Sequence, residues 1–152
     1  MIIRNIQAGD WDAIMATQAR AYTELPPESL EVLQSKWHDS PSTCFICETS
    51  QGLHLGYLLA HAWYQLAPPH LEEPLEKPLD QEITQMYKST ADHSNTAHID
   101  AERHLFLHDM ALAPEAFGLG LGSALFKRLR QSAEALAYNN IRLVAVLSLI
   151  HI

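Results

Sequence analysis

The sequence predicts one α/β (α+β) domain, a mixed central sheet with flanking helices. Two observations lead there. The first third of the chain alternates strand-like and helix-like patterns in the order strand, helix, helix, strand, strand. Later, the stretch 105–136, LFLHDMALAPEAFGLGLGSALFKRLRQSAEAL, changes from an apolar strand to a glycine loop and then to an amphipathic helix.

Taken in order, Met1 to Ile6 is a short apolar run and reads as the first strand. Asp10 is placed to cap a helix whose one face carries Trp11, Ile14, Met15, Ala19 and Tyr22. Pro26 and Pro27 end that helix. A second helix is expected from Glu28 to His38, with Leu30, Leu33 and Trp37 inward. Ser40-Pro41-Ser42 is a turn, and Thr43 to Thr49 reads as a strand. Gln51-Gly52 turns the chain into a hairpin partner, Leu53 to Trp63. After the glycine loop, Leu121 to Ala137 reads as a helix with Leu121, Leu125, Leu129, Ala133 and Leu136 on one face. Asn139-Asn140 closes it, and Ile141 to Val146 is the next strand.

Residues 64–103 break this regularity. Pro68, Pro69, Pro74 and Pro78 punctuate the first half, Asp80 to Lys88 has a short helical pattern, and Ser89 to Ala101 is polar. The segment reads as an insertion between two sheet strands, not as a second domain.

The totals bound the function. A chain of 152 residues suits a single domain with a real core. Hydrophobic content of 47% and charged content of 18% are those of a soluble globular protein. A net charge of -8 argues against nucleic acid, whose phosphates call for a basic surface. The start MIIRNIQAGDW has no leader pattern, and no apolar run reaches the ~18 residues of a membrane helix. A cytoplasmic protein is expected.

Cys44 and Cys47 form a Cys-x-x-Cys pair, but within a strand pattern. Residues three apart on a strand point to opposite faces, so the pair is read as two buried thiols and not as a redox or zinc motif. His104 and His108 would share a strand face at a separation of roughly 13 Å, too far to hold one ion together. No metal site is expected.

Gly118, Gly120 and Gly122 are half of the six glycines in the chain, and they sit at a strand-to-helix junction. Free N–H groups at a helix start, backed by the helix dipole, favour phosphate. The spacing Gly-x-Gly-x-Gly does not meet the dinucleotide fingerprint, and no Gly-Lys-Ser/Thr follows for a P-loop. Strand end Met110-Ala111-Leu112, Pro114, loop Phe117-Gly118-Leu119-Gly120-Leu121-Gly122 and helix together resemble the acyl-CoA motif of the GNAT N-acetyltransferase superfamily. The opening strand, two helices and hairpin also follow that family's order. Phe117 departs from the pattern, because the family usually has Arg or Gln there.

The resemblance implies acyl transfer, most simply acetyl from acetyl-CoA, to a primary amine on a small molecule or protein. It implies that Met110, Ala111, Leu112 and the run Phe117, Gly118, Leu119, Gly120, Leu121, Gly122 and Ser123 meet the acyl-CoA, with the pantetheine arm between the strands 105–112 and 141–146. An aliphatic amine has a pKa near ~10.4, so it must lose a proton before attacking. Asp109 is the first candidate for base or amine-binding group and His108 the second. Strand alternation would put them on opposite faces. Tyr22, near the helix break, is a candidate for the acceptor pocket. The family's acid is a Tyr in a helix beyond the last strand of this sequence, so no acid is assigned. Homodimers are common in the family. The competing function is a non-catalytic acyl-CoA-binding or regulatory module.

Leu147 to Ile152, LSLIHI, resembles the translation of a transposon end used in sequencing libraries. The domain is therefore expected to span 1–146, with 147–152 a non-native tail and the family's C-terminal part missing.

Overall fold

The structure, a computed structural model, describes residues 1–23, 26–65, 67–69, 74–75 and 103–144. The expected helical pattern at 80–88 and the tail 147–152 lie outside the described residues.

Five strands form one sheet in the order β1 (Ile2–Asn5), β2 (Cys44–Glu48), β3 (His54–Trp63), β4 (His104–Leu112) and β5 (Ile141–Leu143). The first four pair antiparallel, and β4 pairs with β5 in parallel. Helices α1 (Trp11–Ala21) and α2 (Leu30–Asp39) cover one face, and α3 (Leu121–Ala135) covers the other.

Period-2 alternation sorts the core into these two layers. Phe45, Cys47, Leu58, Ala60, Leu105 and Leu107 face α3, where they meet Leu125 and Leu129. Cys44, Ile46, Tyr57 and Leu59 face α1 and α2, where they meet Trp11, Ile14 and Leu33. The two cysteines therefore lie on opposite faces, as their spacing requires, and both are free and buried.

Several boundaries differ from the sequence reading. Asp10 does not cap α1 with its side chain. Its carboxylate instead accepts from the Gln7 N–H at 2.7 Å and from the Arg4 guanidinium at 2.8 and 2.9 Å. Burial alone would raise this carboxyl's pKa, but the Arg4 and Gln7 hydrogen bonds hold it below its ordinary value. Arg4 also reaches Glu48 at 3.0 Å, which ties β1 to β2 and to the start of α1. Helix α2 begins at Leu30 because Ser29 caps it, with Ser29 Oγ accepting from the Val32 N–H at 3.3 Å. Leu30 is exposed at its first turn, while Leu33 packs inward as expected and Val32 joins it. Helix α3 stops before Leu136, which is exposed. Ala137, not an asparagine, takes the left-handed conformation with φ 62°. The buried ring of Tyr138 anchors this ending, and its N–H donates to the Ala133 carbonyl at 2.9 Å.

Two parts of the insertion are fixed to the domain. Trp63 Nε1–H donates to the Ala67 carbonyl at 2.7 Å, and the Leu75 N–H donates to Ser35 Oγ on α2 at 3.0 Å. No helix among the described residues is long and apolar enough to cross a membrane.

At Gly56, β3 packs tightly against the end of β4. A Cβ there would sit 2.6 Å from Leu112 Cδ2 and 2.8 Å from the Ala111 carbonyl oxygen. Gly56→Ala is expected to lower unfolding free energy by ~1–3 kcal/mol in urea melts. An unchanged midpoint would show that the strands are not this close.

Candidate active site

The site lies where β4 loses its regular register. Leu59 pairs with Asp109, but the next residue of β3, Ala60, pairs with Leu107. His108 is the extra residue of a β-bulge. The bulge resets the alternation and corrects the expectation of opposite faces. His108 joins Phe106 and His61 on the α2 side, with ring centroids 6.5 and 5.8 Å away. Asp109 lies beside Tyr57 and Tyr22 on the same side. Both candidate residues share one buried polar cluster.

Each member of the cluster has a defined source. Tyr57 is fully buried on β3, and its hydroxyl lies 2.6 Å from Asp109 Oδ2. Tyr22 follows α1, and its hydroxyl lies 2.7 Å from Asp109 Oδ1 and 2.8 Å from the Met110 carbonyl oxygen. Glu28, just before α2, holds His108 Nε2 with both carboxylate oxygens at 3.0 and 2.9 Å. Sequence reasoning missed Glu28 and Tyr57. Pro26-Pro27 marked only a break, and Tyr57 looked like one more apolar strand position.

Burial pushes the Asp109 carboxyl above its ordinary range, although Tyr57 and Tyr22 pull it back in part. Burial first, and the nearby Asp109 charge second, push both phenols up. Burial depresses His61 to about 3, and its Nδ1 lies 2.9 Å from the Ala62 carbonyl oxygen. Beside the Glu28 carboxylate, Nε2 of His108 is the hydrogen-bond donor and Nδ1 is left to face the interior. That atom is buried without a hydrogen-bond partner.

Beside this cluster, β4 and β5 pair from Leu105↔Ile141 to Leu107↔Leu143. The Ala113 N–H donates to Leu55 of β3, so alternation turns the N–H and C=O groups of Leu112 and Met110 away from β3, toward the β5 side. The Tyr22 hydroxyl thus reaches the strand edge that faces β5. A groove of about 800 Å³ runs along α3 on the other side of the sheet, lined by Met110, Gly122, Phe126, Arg130 and Leu143 among others.

The glycine loop is built as its composition implies. Gly118 and Gly120 take φ of 79° and 75°, which residues with a Cβ rarely adopt. Gly122 is different, because it lies inside the first turn of α3. The first helical bond runs from the Ala124 N–H to the Gly120 carbonyl, which leaves the N–H groups of Leu121, Gly122 and Ser123 outside the helical ladder. Phe117 and Leu119 are 62% and 66% exposed. This loop can take an anionic group on its N–H donors. Among the described residues no group of His, Cys, Asp and Glu could hold a metal ion.

The profile of the acetyltransferase (GNAT) family matches residues 11–149, and the chain belongs to that family. Solved structures share its fold. One is Chaetomium thermophilum Naa20 in complex with a bisubstrate analogue, at TM-score 0.60 and 18% identity, with 94% of this chain and 61% of that one covered. Another is the GphF GNAT-like decarboxylase in complex with isobutyryl-CoA, at TM-score 0.57 and 21% identity, covering 88% and 59%. A third is an aminoglycoside 6'-N-acetyltransferase from Acinetobacter haemolyticus, at TM-score 0.59 and 11% identity, covering 97% and 81%. The chain thus spans about three fifths of Naa20 and of GphF. Among curated proteins none matches by sequence.

Burial raises the pKa of both thiols, that of Cys44 to about 12. A thiol reagent at neutral pH is expected to label neither cysteine until denaturant is added. Labelling of the native protein would contradict this packing.

Proposed function

We propose that the chain is the acyl-CoA-dependent part of an N-acyltransferase, which moves an acyl group, most simply acetyl, from CoA to a primary amine of a small molecule or protein. The observation that carries this reading is the junction of strand edge, glycine loop and helix start beside a buried polar cluster. The N–H groups of Leu121, Gly122 and Ser123 take the pyrophosphate, and Gly118 and Gly120 let the backbone approach it. Phe117 adds no polar group, so these N–H groups do the holding. The N–H of Met110 or Leu112, at the edge away from β3, polarises the thioester carbonyl.

The cluster of Asp109, His108, Tyr22, Tyr57 and Glu28 forms the acceptor side. The Glu28 carboxylate there favours a cationic amine, and the cluster supplies the group that takes its proton. The insertion at 64–103 reaches α2 through Leu75, and we assign it a part in acceptor choice. The domain so proposed runs over 1–146. A non-catalytic acyl-CoA-binding module is the second reading, and Phe117 at the loop favours it.

Gly122 gives the clean test. A Cβ there meets nothing closer than 3.9 Å, so Gly122→Leu is expected to fold normally, but its side chain enters the space assigned to the ligand. Calorimetric titration should show acetyl-CoA and CoA binding to the wild type, not NAD, and at least tenfold weaker binding to the variant. Equal affinity would remove the loop from the site. Transfer to amines by the wild type separates the enzyme from the binding module.

A further inference from the structure

Three short oxygen–oxygen contacts meet at Asp109 and Tyr22: Tyr57 Oη to Asp109 Oδ2 at 2.6 Å, Tyr22 Oη to Asp109 Oδ1 at 2.7 Å, and Tyr22 Oη to the Met110 carbonyl oxygen at 2.8 Å. Each is a hydrogen-bond length and needs a hydrogen. The two phenols bring one each, and a carbonyl oxygen and an ionised carboxylate bring none. With Asp109 ionised, one contact would press lone pairs together without a proton between them, inside the core. With Asp109 protonated the count closes. Tyr57 donates to Oδ2, the carboxyl O–H at Oδ1 donates to Tyr22, and Tyr22 donates to the Met110 carbonyl.

We propose that Asp109 is a neutral carboxylic acid in the resting protein, and that Asp109 and Tyr22 form the proton-donating unit of the site. The catalytic part rests on the N-acyltransferase reading; the protonation state does not. The groups that face Asp109 are Tyr22 after α1, Tyr57 on β3, His108 on β4 and Glu28 before α2. The two phenols can only donate to it or accept from it. Glu28 is a second negative group, and His108 spends its Nε2–H on Glu28. Burial favours the uncharged carboxyl in the same direction.

This divides the labour between the two candidates. The acceptor ammonium first gives one proton to Glu28, the exposed end of the Glu28–His108 pair, and His108, whose Nδ1 is buried, is the positioning residue that holds the carboxylate. The amine then attacks, and a C–N bond forms. The C–S bond breaks, the thiolate takes the Tyr22 hydroxyl proton, and the Asp109 proton replaces it on Tyr22. The second proton on the attacking nitrogen recharges Asp109. One proton per turnover leaves by Glu28, and no further reactant is needed. Tyr22 can reach the leaving group because its hydroxyl sits at the Met110 edge that faces β5.

Infrared difference spectra of aspartate-labelled wild type against Asp109→Asn test the protonation directly. A carbonyl stretch of a protonated carboxyl at neutral pH, lost in the variant, is expected. Carboxylate stretches alone would overturn the proposal. Should Asp109→Asn fail to fold, Tyr22→Phe serves instead, because it removes the acceptor of the carboxyl hydrogen and must shift that band.

Linkage gives a second readout. A carboxyl with a raised folded-state pKa contributes stability below its unfolded pKa of about 3.9 and loses it as pH rises through the folded value. Wild-type stability relative to Asp109→Asn should therefore fall with rising pH, and a rise would refute the assignment. Neither readout needs turnover, so a failed acyltransferase reading cannot be mistaken for a failure here. In turnover, Tyr22→Phe should lower kcat on the order of a hundredfold with CoA affinity unchanged. A thioester with a more acidic leaving thiol should recover part of that loss, and no recovery would remove the pair from the acid role.

Discussion

A single residue of β3, from Leu59 to Ala60, spans two residues of β4, from Asp109 to Leu107. The polar chemistry of the domain hangs on that mismatch. In a regular strand His108 and Asp109 would point to opposite layers, one under α3 and one under α1 and α2. The extra residue turns both toward α1 and α2. There His108 meets Glu28, and Asp109 meets Tyr22 and Tyr57. It also divides β4 into a half that pairs with β5 and a half whose backbone carries the Met110 carbonyl bound by Tyr22.

Burying so many polar groups is costly unless their hydrogen bonds are complete. The partners here come from four places in the chain: the end of α1, the loop before α2, β3 and β4. None of these segments alone would keep its polar group dry. The cluster therefore also fixes α1 and α2 against the sheet. Asp109 and Tyr22 are 87 residues apart, and His108 and Glu28 are 80 apart. A shift of either helix would break a buried hydrogen bond as well as an apolar contact.

Much of the fold was legible because it depends on local periodicity. The order of strands and helices, the opposed faces of Cys44 and Cys47, and the glycine loop before α3 follow from spacing and from the backbone freedom of Gly118 and Gly120. Capping was less legible. Asp10 carries the right chemistry for a helix start, but Arg4 and Gln7 compete for its carboxylate and win. The bulge could not be read at all, since it is a property of two strands and HLFLHDMAL alternates smoothly in sequence. For the same reason Asp109 could be picked out as a candidate, while its neighbours Tyr57 and Glu28 could not.

His61 closes the inner wall of the site. Its ring stays uncharged down to about pH 3, because burial and the nearby His108 and Lys36 all oppose a positive charge there. His61 therefore does not take up a proton from His108 at neutral pH. The ion-pair partner of His108 is Glu28, whose side chain is 11% exposed, against 0% for that of the histidine. In the proposed reaction this makes proton traffic one-sided: protons enter and leave at Glu28, the exposed end of the pair, and not through His61.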